Sequence, residues 1–308
     1  MRVAAIDIGT VTTRCLVAEV VDGHLTELDR RSVITHLGEG LSATGALSDA
    51  AMDRVAATVA GYLERARELG VEHVVALATS AARDASNAAA FTDRLSALGA
   101  VPQVIPGDRE AYLSFLGATY DRDGEGILVA DPGGGSTELV YGDASPEAGV
   151  TVRAARSIDV GARRMTERFF ATDPPTLAEL DAARAWAVAE FRPYFELLRG
   201  ERPSVLVTLA GTATTMAAID QHLDPYDPSK VHGYVLSGAT VSALLAEFAS
   251  VPLAERRRIA GLEPDRAPVI VGGSLVIETV MSLAGVDSTV VSEHDILYGI
   301  ALDAAAGA

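Results

Sequence analysis

Two short apolar runs, each ending in an aspartate and a glycine-bearing loop, divide the chain into similar halves. Residues 3–6 lead into Asp7, and residues 127–130 lead into Asp131. A second β-prone run follows in both halves, at 12–21 and at 137–141, so each aspartate is predicted at the tip of a hairpin. The two aspartates lie 131 − 7 = 124 residues apart. This repeat predicts two related α/β units that face each other.

The spacing of apolar residues predicts further helices and strands in each half. The predicted helices cover residues 49–69, 88–98, 110–120, 177–198, 214–219, 274–284 and 292–306, and the predicted strands cover 74–78, 101–105, 205–209 and 269–271. Turns are predicted at Asp22-Gly23 and at Gly142-Asp143. The polar segment 121–126 is the predicted link between domains. The first domain then comprises residues 1–120 with 292–308, and the second comprises residues 121–291.

Composition and charge narrow the classes of function. The 308 residues are 49% hydrophobic and 22% charged, which allows a packed core. The 42 acidic and 25 basic residues leave 42 − 25 = 17 net negative charges, so a nucleic-acid partner held by phosphate neutralisation is not expected. A bound anion must instead be held by backbone N–H groups, a few arginines or a metal ion.

Several features predict a cytoplasmic protein with no membrane partner. The single cysteine, Cys15, cannot form an intrachain disulfide and favours a reducing compartment. Asp7 lies too early for the apolar core of a signal peptide. The most apolar stretch, 267–286, is interrupted by Glu278 and by two glycines, so it is not expected to span a membrane.

The glycine-bearing loops are the candidate binding elements. Glycine at a strand end lets the backbone approach a ligand and turn its N–H groups toward an anion. Two further loops, at Gly211-Thr212 and Gly272-Gly273, follow predicted strands and precede predicted helices. Paired loops that each carry a carboxylate suit a complex of Mg²⁺ (or Mn²⁺) with phosphate, with Asp7 and Asp131 on the metal side. The alternative is that the two aspartates only cap their turns.

Five segments together resemble one known family. They are DIGT at residues 7–10, ATSAARDASN at 78–87, GDREA at 107–111, DPGGGSTEL at 131–139 and VHGY at 231–234. In this order they resemble the exopolyphosphatases and guanosine pentaphosphate phosphohydrolases, and the similarity runs from residue 3 to about residue 300. The resemblance implies an α/β, actin-like (actin/hexokinase/Hsp70, ribonuclease H-like) duplicated two-lobe fold with a central ligand cleft that closes on binding. The length matches the short, two-domain members.

The resemblance also implies roles for individual residues. Glu110 matches the glutamate that orients or deprotonates the attacking water, although on its own it would be an acid favoured at a helix N-terminus. Glu138 matches a second acid that acts on water or metal, and Asp131 and Asp7 match the metal-linked aspartates. The residues expected to cradle phosphate are Gly9, Thr10, Gly133, Gly134, Gly135, Ser136, Gly211 and Thr212.

Basic and amide side chains supply further candidate phosphate contacts. Arg83 and Asn87, the chain's only asparagine, lie four residues apart and would share one face if a helix begins there. Arg14 and Arg266 are weaker candidates for contacts to a nucleotide or to chain phosphates, and Lys230 is a candidate polyanion contact. His232 lies in a motif typical of the family, but a structural role is expected for it.

Two positions depart from the family pattern. Val11 stands where a small polar residue is usual, which removes one donor near the phosphate. Arg109 stands where a second acid is common, which would make the entrance to the site more positive.

Four functions remain open from the sequence. The first is Mg²⁺-dependent release of terminal phosphate from inorganic polyphosphate, with short chains favoured because the net charge repels a long polyanion. The same chemistry on guanosine pentaphosphate is the near alternative. A sensor that binds polyphosphate or guanosine penta- or tetraphosphate without hydrolysis is the third. An ATP-dependent kinase or scaffold is disfavoured because GDREA belongs to the phosphatase pattern. Relatives often form dimers, so a homodimer stays open.

Overall fold

The computed structural model describes residues 1–145, 149–198 and 200–307. The chain divides into two compact units. Unit 1 contains Met1–Tyr120 and the residues from Asp295 onward, and unit 2 contains Asp121–His294. The sequence predicts domain boundaries at 120/121 and 291/292, and the boundaries of the two units lie at 120/121 and 294/295.

Unit 1 is a five-stranded sheet covered by helices on both faces. Its strands are β1 (Arg2–Ile8), β2 (Thr12–Val21), β3 (His24–Ile34), β4 (His73–Ala78) and β5 (Gln103–Val104), in the order β3-β2-β1-β4-β5. Its helices are α1 (Leu41–Thr44), α2 (Asp49–Glu68), α3 (Ser80–Asp84), α4 (Ala88–Ser96), α5 (Gly107–Ala118) and α13 (Ile296–Ala306). The first three strands are antiparallel, whereas β4 and β5 run parallel to β1.

The apolar run of β1 is continuous because both of its faces are buried. Ala4, Ile6 and Ile8 belong to one cluster with residues of α2 and α4. Val3 and Ala5 belong to a second cluster with residues of α5 and α13. Alternate residues of a strand point to opposite faces, so a strand between two helical layers needs apolar residues at every position.

Unit 2 repeats this arrangement with a six-stranded sheet. Its strands are β6 (Gly124–Pro132), β7 (Thr137–Ser145), β8 (Gly149–Ile158), β9 (Val205–Thr208), β10 (Val235–Ser237) and β11 (Ser288–Val291), in the order β10-β11-β9-β6-β7-β8. Its helices are α6 (Ala162–Phe169), α7 (Leu177–Leu197), α8 (Ala210–Asp220), α9 (Pro228–Val231), α10 (Gly238–Ser250), α11 (Leu253–Arg256) and α12 (Ile270–Ala284).

The order of strands confirms the predicted duplication. In each unit an antiparallel three-stranded meander is followed by a strand that runs parallel to the first strand of the meander. The Asp22-Gly23 turn is also confirmed, and both residues have positive φ, of 50° and 77°, as a two-residue hairpin turn of this twist requires. The third strands, β3 and β8, were not predicted because their residues are mostly polar or exposed.

The predicted strand at residues 269–271 is wrong, because this segment opens helix α12. Gly272 and Gly273 do not form a turn. A Cβ on Gly272 would lie 2.5 Å from the carbonyl oxygen of Ala162 in α6, and Gly273 packs against Thr212 in α8. The two glycines therefore let three helices pack closely. A short apolar run followed by glycine cannot distinguish this arrangement from a strand and turn.

Several predicted boundaries also change. The Gly142-Asp143 turn is wrong, since β7 continues to Ser145 with a register shift between Tyr141 and Gly142. The last helix begins at Ile296 because the side chain of Asp295 caps it by accepting the N–H of Leu297. The strand predicted over 101–105 contains only two residues. Within the part of the chain that the structure describes, no helix is long and apolar enough to cross a membrane.

Candidate functional site

The first glycine loop, residues 9–11, joins β1 to β2 in unit 1, and two of its carbonyl groups accept hydrogen bonds from a neighbouring segment. The carbonyls of Thr10 and Val11 accept hydrogen bonds of 2.8–2.9 Å from backbone amides of the segment 35–38. Gly9 donates to Thr12 within the loop, at 3.0 Å. The N–H groups of Thr10 and Val11 donate to no other group among the described residues. Among the described residues these two N–H groups are therefore donors without an acceptor, and the bonds to the carbonyls of Thr10 and Val11 hold the loop in this conformation.

The second glycine loop, Gly133–Ser136, joins β6 to β7 in unit 2 and is held in the same way. The carbonyls of Gly133 and Gly134 accept from three backbone amides at the start of α6, at 2.9–3.1 Å. Gly161 precedes this helix, and a Cβ there would lie 2.5 Å from the carbonyl oxygen of Gly134. Among the described residues, the N–H groups of Gly134, Gly135 and Ser136 have no acceptor. Three consecutive backbone donors of this kind form an anion-binding concavity.

The carboxylate beside the first loop, that of Asp7, forms an ion pair within unit 1. Asp7 pairs across the strands with Arg14, whose Nη2 lies 2.6 Å from Oδ2 of Asp7. The same guanidinium contacts Asp295 through Nη1 at 2.5 Å. Burial raises the pKa of Asp7, and the adjacent Arg14 opposes that rise. Arg14 was predicted to contact phosphate, whereas the structure places it between two carboxylates.

The corresponding position in unit 2 holds a second acid. Asp131 pairs across the strands with Glu138, at the same seven-residue spacing that separates Asp7 from Arg14. Both side chains are buried, and Ser157 Oγ donates to Oε1 of Glu138 at 2.6 Å. Directly opposed positions of an antiparallel pair place their side chains on one face, about 5 Å apart at Cβ. Two adjacent carboxylates are oxygen donors that fit Mg²⁺ or Mn²⁺, so the second loop fits the metal better than the first.

Glu110 lies in the first turn of α5, where it is buried and ion-paired. Its Oε2 lies 2.5 Å from Nη1 of Arg83, which also donates to the carbonyl of Ile105 at 3.1 Å. The structure thus brings the predicted catalytic acid and a predicted phosphate contact together. Arg109 does not add free positive charge here, because its guanidinium pairs with Asp303 and lies over the ring of Tyr112.

Asn87 does not share a helical face with Arg83, so that prediction is wrong. Helix α3 ends at Asp84, and Asn87 is the residue before α4. Its side-chain amide donates to the carbonyl of Leu47 and accepts that residue's N–H, each at 2.9 Å. This paired contact joins two loops of unit 1, and we assign Asn87 a structural role.

Gly211 and Thr212 lie in the first turn of α8, which starts directly after β9. Ala210 has φ of 64°, a left-handed conformation that costs free energy for a residue with a Cβ and that is often found at functional sites. The guanidinium of Arg266 packs on Gly211 and contacts Glu263 at 3.3 Å. The nearby Tyr226 donates to Glu293 and interacts electrostatically with Arg266, and nothing in the sequence pointed to this tyrosine.

A cluster of Asp121, His232 and His294 has the residue types of a metal site, but its hydrogen bonds do not fit one. The N–H of Glu293 donates to Nδ1 of His232 at 3.1 Å. The neutral ring must then carry its proton on Nε2, which lies 2.8 Å from Oδ2 of Asp121. This nitrogen is a donor to the carboxylate and offers no lone pair to a metal. The histidine contacts also hold the pKa of Asp121 well below its usual range. The structural role predicted for His232 agrees with these bonds.

A family model, a curated relative and solved structures all match this chain over nearly its whole length. The Ppx/GppA phosphatase family model matches residues 16–304. Exopolyphosphatase 2 of Mycobacterium tuberculosis is 38% identical over 320 residues, which cover 99% of this chain and 98% of that protein. The structure of the Aquifex aeolicus PPX-GPPA enzyme is 34% identical with a TM-score of 0.82 and covers 98% of this chain and 99% of its own. The Cytophaga hutchinsonii exopolyphosphatase structure is 28% identical with a TM-score of 0.88, covering 99% and 98% of the two chains. This chain belongs to the Ppx/GppA phosphatase family.

Proposed function

We propose that this protein is an exopolyphosphatase, which releases the terminal phosphate of inorganic polyphosphate by attack of water. The observation that carries the proposal is the second glycine loop, where three consecutive N–H donors lie beside the opposed carboxylates of Asp131 and Glu138. Such a loop can bind a phosphate group and its divalent cation together. The similarity to exopolyphosphatase 2 of Mycobacterium tuberculosis supports this substrate class.

Asp131 and Glu138 are the proposed holders of Mg²⁺ or Mn²⁺. When bound, the ion would neutralise part of the negative charge on the phosphates. Asp7 is left out of this set because its carboxylate is engaged by Arg14, and its role as a metal ligand stays a prediction. Phosphate contacts by the first loop, Gly9 and Thr10, likewise stay predictions.

Glu110 is the proposed group that orients the attacking water and accepts its proton. The water oxygen forms a bond to the terminal phosphorus as the anhydride P–O bond breaks, and the shortened chain leaves with the bridging oxygen. Arg83 fixes the carboxylate of Glu110 by a charge-assisted bond of 2.5 Å. Because the buried pair is held in one geometry, the carboxylate can be aimed without further ordering.

Short chains are the proposed substrates. The net charge of −17 repels a polyanion, and this repulsion grows with the number of phosphates near the protein surface. A single terminal phosphate held by backbone donors and one divalent ion escapes most of that cost.

The test measures phosphate release, with Mg²⁺, from tripolyphosphate, long polyphosphate and guanosine pentaphosphate. We expect release by the wild type, fastest from tripolyphosphate, and a fall of about 10²–10⁴-fold in Glu110→Gln. Asp108→Asn is the matched control, because Asp108 lies in the same helical turn but is exposed.

Three results would contradict the proposal or a part of it. No release from any substrate would overturn the proposal. Faster turnover of guanosine pentaphosphate than of polyphosphate would replace the proposed substrate. Equal rates for Glu110→Gln and Asp108→Asn would remove Glu110 from the mechanism.

A further inference from the structure

We propose that Arg164 is a positioning residue that aims the backbone N–H of Ser136 at the bound phosphate. The inference rests on the proposed function of the second glycine loop. Arg164 lies in the first turn of α6, and its Nε donates to the carbonyl oxygen of Gly135 at 2.7 Å. This is a charged donor on a loop carbonyl. The neighbouring carbonyls of Gly133 and Gly134 are held instead by backbone amides.

The geometry of the peptide unit connects this contact to the ligand. The carbonyl of Gly135 and the N–H of Ser136 belong to one planar trans peptide, so they point in opposite directions. A donor that fixes the carbonyl therefore fixes the direction of the N–H on the other side. The guanidinium also polarises the peptide, which makes that N–H a stronger donor.

The two other donors of the loop do not depend on a side chain. The N–H of Gly134 and that of Gly135 are oriented through carbonyls bonded to the backbone N–H groups of Ala162, Arg163 and Arg164. Substituting Arg164 therefore leaves those backbone bonds in place and releases one peptide, the one that carries Ser136 N–H. Nη2 of Arg164 lies 3.6 Å from Asp159, which steadies the far end of the side chain.

The kinetic test compares Arg164→Met with Arg164→Lys and Arg168→Met. Arg168 lies on the same helix, is exposed and contacts the rings of Phe169 and Trp186, so its replacement removes the same charge away from the loop. For tripolyphosphate we expect kcat/KM to fall about 10–100-fold in Arg164→Met, because a hydrogen bond to a charged group is misdirected. Arg164→Lys retains a charged donor and is expected to recover part of the loss, with similar melting temperatures in all three variants.

A spectroscopic test measures the response of the Ser136 N–H group directly. Labelling glycine with ¹³C at the carbonyl and serine with ¹⁵N selects Gly-Ser pairs, and the sequence contains two, Gly135-Ser136 and Gly273-Ser274. Ser274 is fully buried in α12 and serves as the internal reference. With inorganic phosphate and Mg²⁺ as the probe, we expect the proton of Ser136 N–H to shift downfield in the wild type and in Arg168→Met. In Arg164→Met this shift is expected to be lost or at least halved.

The two tests separate the inference from the function on which it rests. A wild type that releases no phosphate would overturn the exopolyphosphatase assignment, and the amide titration would still decide the role of Arg164. An active wild type with equal kcat/KM in Arg164→Met and Arg168→Met would overturn the positioning role. An unchanged phosphate response of Ser136 in Arg164→Met would also overturn it.

Discussion

Replacing Arg14 with Gln removes a guanidinium that lies between two buried carboxylates of unit 1, those of Asp7 and Asp295. Arg14 contacts Asp7 at 2.6 and 3.0 Å and Asp295 at 2.5 Å. The exposed fractions of the three side chains are 20% for Arg14, 4% for Asp7 and 8% for Asp295. The substitution therefore leaves two carboxylates buried without this cation.

The size of the effect follows from this burial. Removing one partner of a buried ion pair costs about 3–5 kcal/mol, because the remaining charge is left uncompensated. Since Arg14 is partly exposed, we expect the lower end, about 3 kcal/mol of unfolding free energy for unit 1. This corresponds to a fall in Tm of about 10 °C for a unit of this size.

The only cysteine provides a reporter in the same strand. Cys15 follows Arg14 in β2 and is buried, and this burial raises the pKa of its thiol from 9.0 to about 12. A buried thiol with a raised pKa is poorly accessible and supplies little thiolate, so the native Cys15 reacts slowly with a disulfide reagent at pH 8. The urea dependence of Cys15 labelling therefore measures the opening of unit 1.

Arg2→Gln is the matched control for this experiment. Arg2 pairs with Glu19 across the same two strands at 3.2 Å, but the two side chains are 44% and 43% exposed. An exposed pair contributes about 0–1 kcal/mol. Equal losses of unfolding free energy in Arg14→Gln and Arg2→Gln would refute the reasoning. If Arg14→Gln instead raised KM for polyphosphate without loss of stability, Arg14 would be the phosphate contact that the sequence predicted.

Two further predictions concern helix packing and the metal. Gly299→Ala should lower the unfolding free energy by about 1–3 kcal/mol, since the added methyl would overlap the carbonyl of Leu113 in α5. Gly61 lies in α2 with open space where a Cβ would be, so Gly61→Ala should raise the unfolding free energy by up to about 1 kcal/mol. Urea titrations of both variants would check these signs, and a destabilised Gly61→Ala would contradict the packing argument. Glu138→Gln should raise the Mg²⁺ concentration for half-maximal activity about tenfold or more, as one carboxylate ligand is lost, and Asp7→Asn should change it much less. A larger shift in Asp7→Asn would place the ion at the first loop.

The elements that could be predicted from the sequence are those defined by local patterns. The two hairpins could be predicted because an apolar strand, an aspartate and a glycine loop recur in the same order in both halves. The start of helix α12 could not be predicted in this way. An apolar run followed by two glycines occurs both in a strand with a turn and in a buried helix that packs closely against other helices. That distinction depends on which helices pack nearby, which is tertiary information.

The candidate site likewise has a part that could be predicted from the sequence and a part that could not. The difference between the two loops was present in the sequence, since Arg14 and Glu138 each follow their loop aspartate by seven residues. Hairpin register makes those positions direct partners, so an ion pair and an acid pair could have been inferred. Arg164 gave no such signal. It lies 29 residues from Gly135, and its target is a carbonyl, which every residue possesses.

The three arginines that were predicted to contact phosphate all pair with carboxylates inside their own units. Arg14 lies between Asp7 and Asp295, Arg83 contacts Glu110, and Arg266 contacts Glu263. An anion that approached any of them would compete with a carboxylate already in place.

The backbone donors of the glycine loops meet no such competition among the residues that the structure describes. Carbonyls of both loops accept hydrogen bonds, whereas the N–H groups of Thr10, Val11, Gly134, Gly135 and Ser136 donate none there. In a chain with 17 net negative charges, peptide dipoles attract an anion without adding a cation that the surrounding acids would neutralise. The same excess of acid supplies the opposed carboxylates for a divalent ion. The negative charge and the capacity to bind phosphate are therefore compatible, provided that peptide groups and a metal perform the recognition.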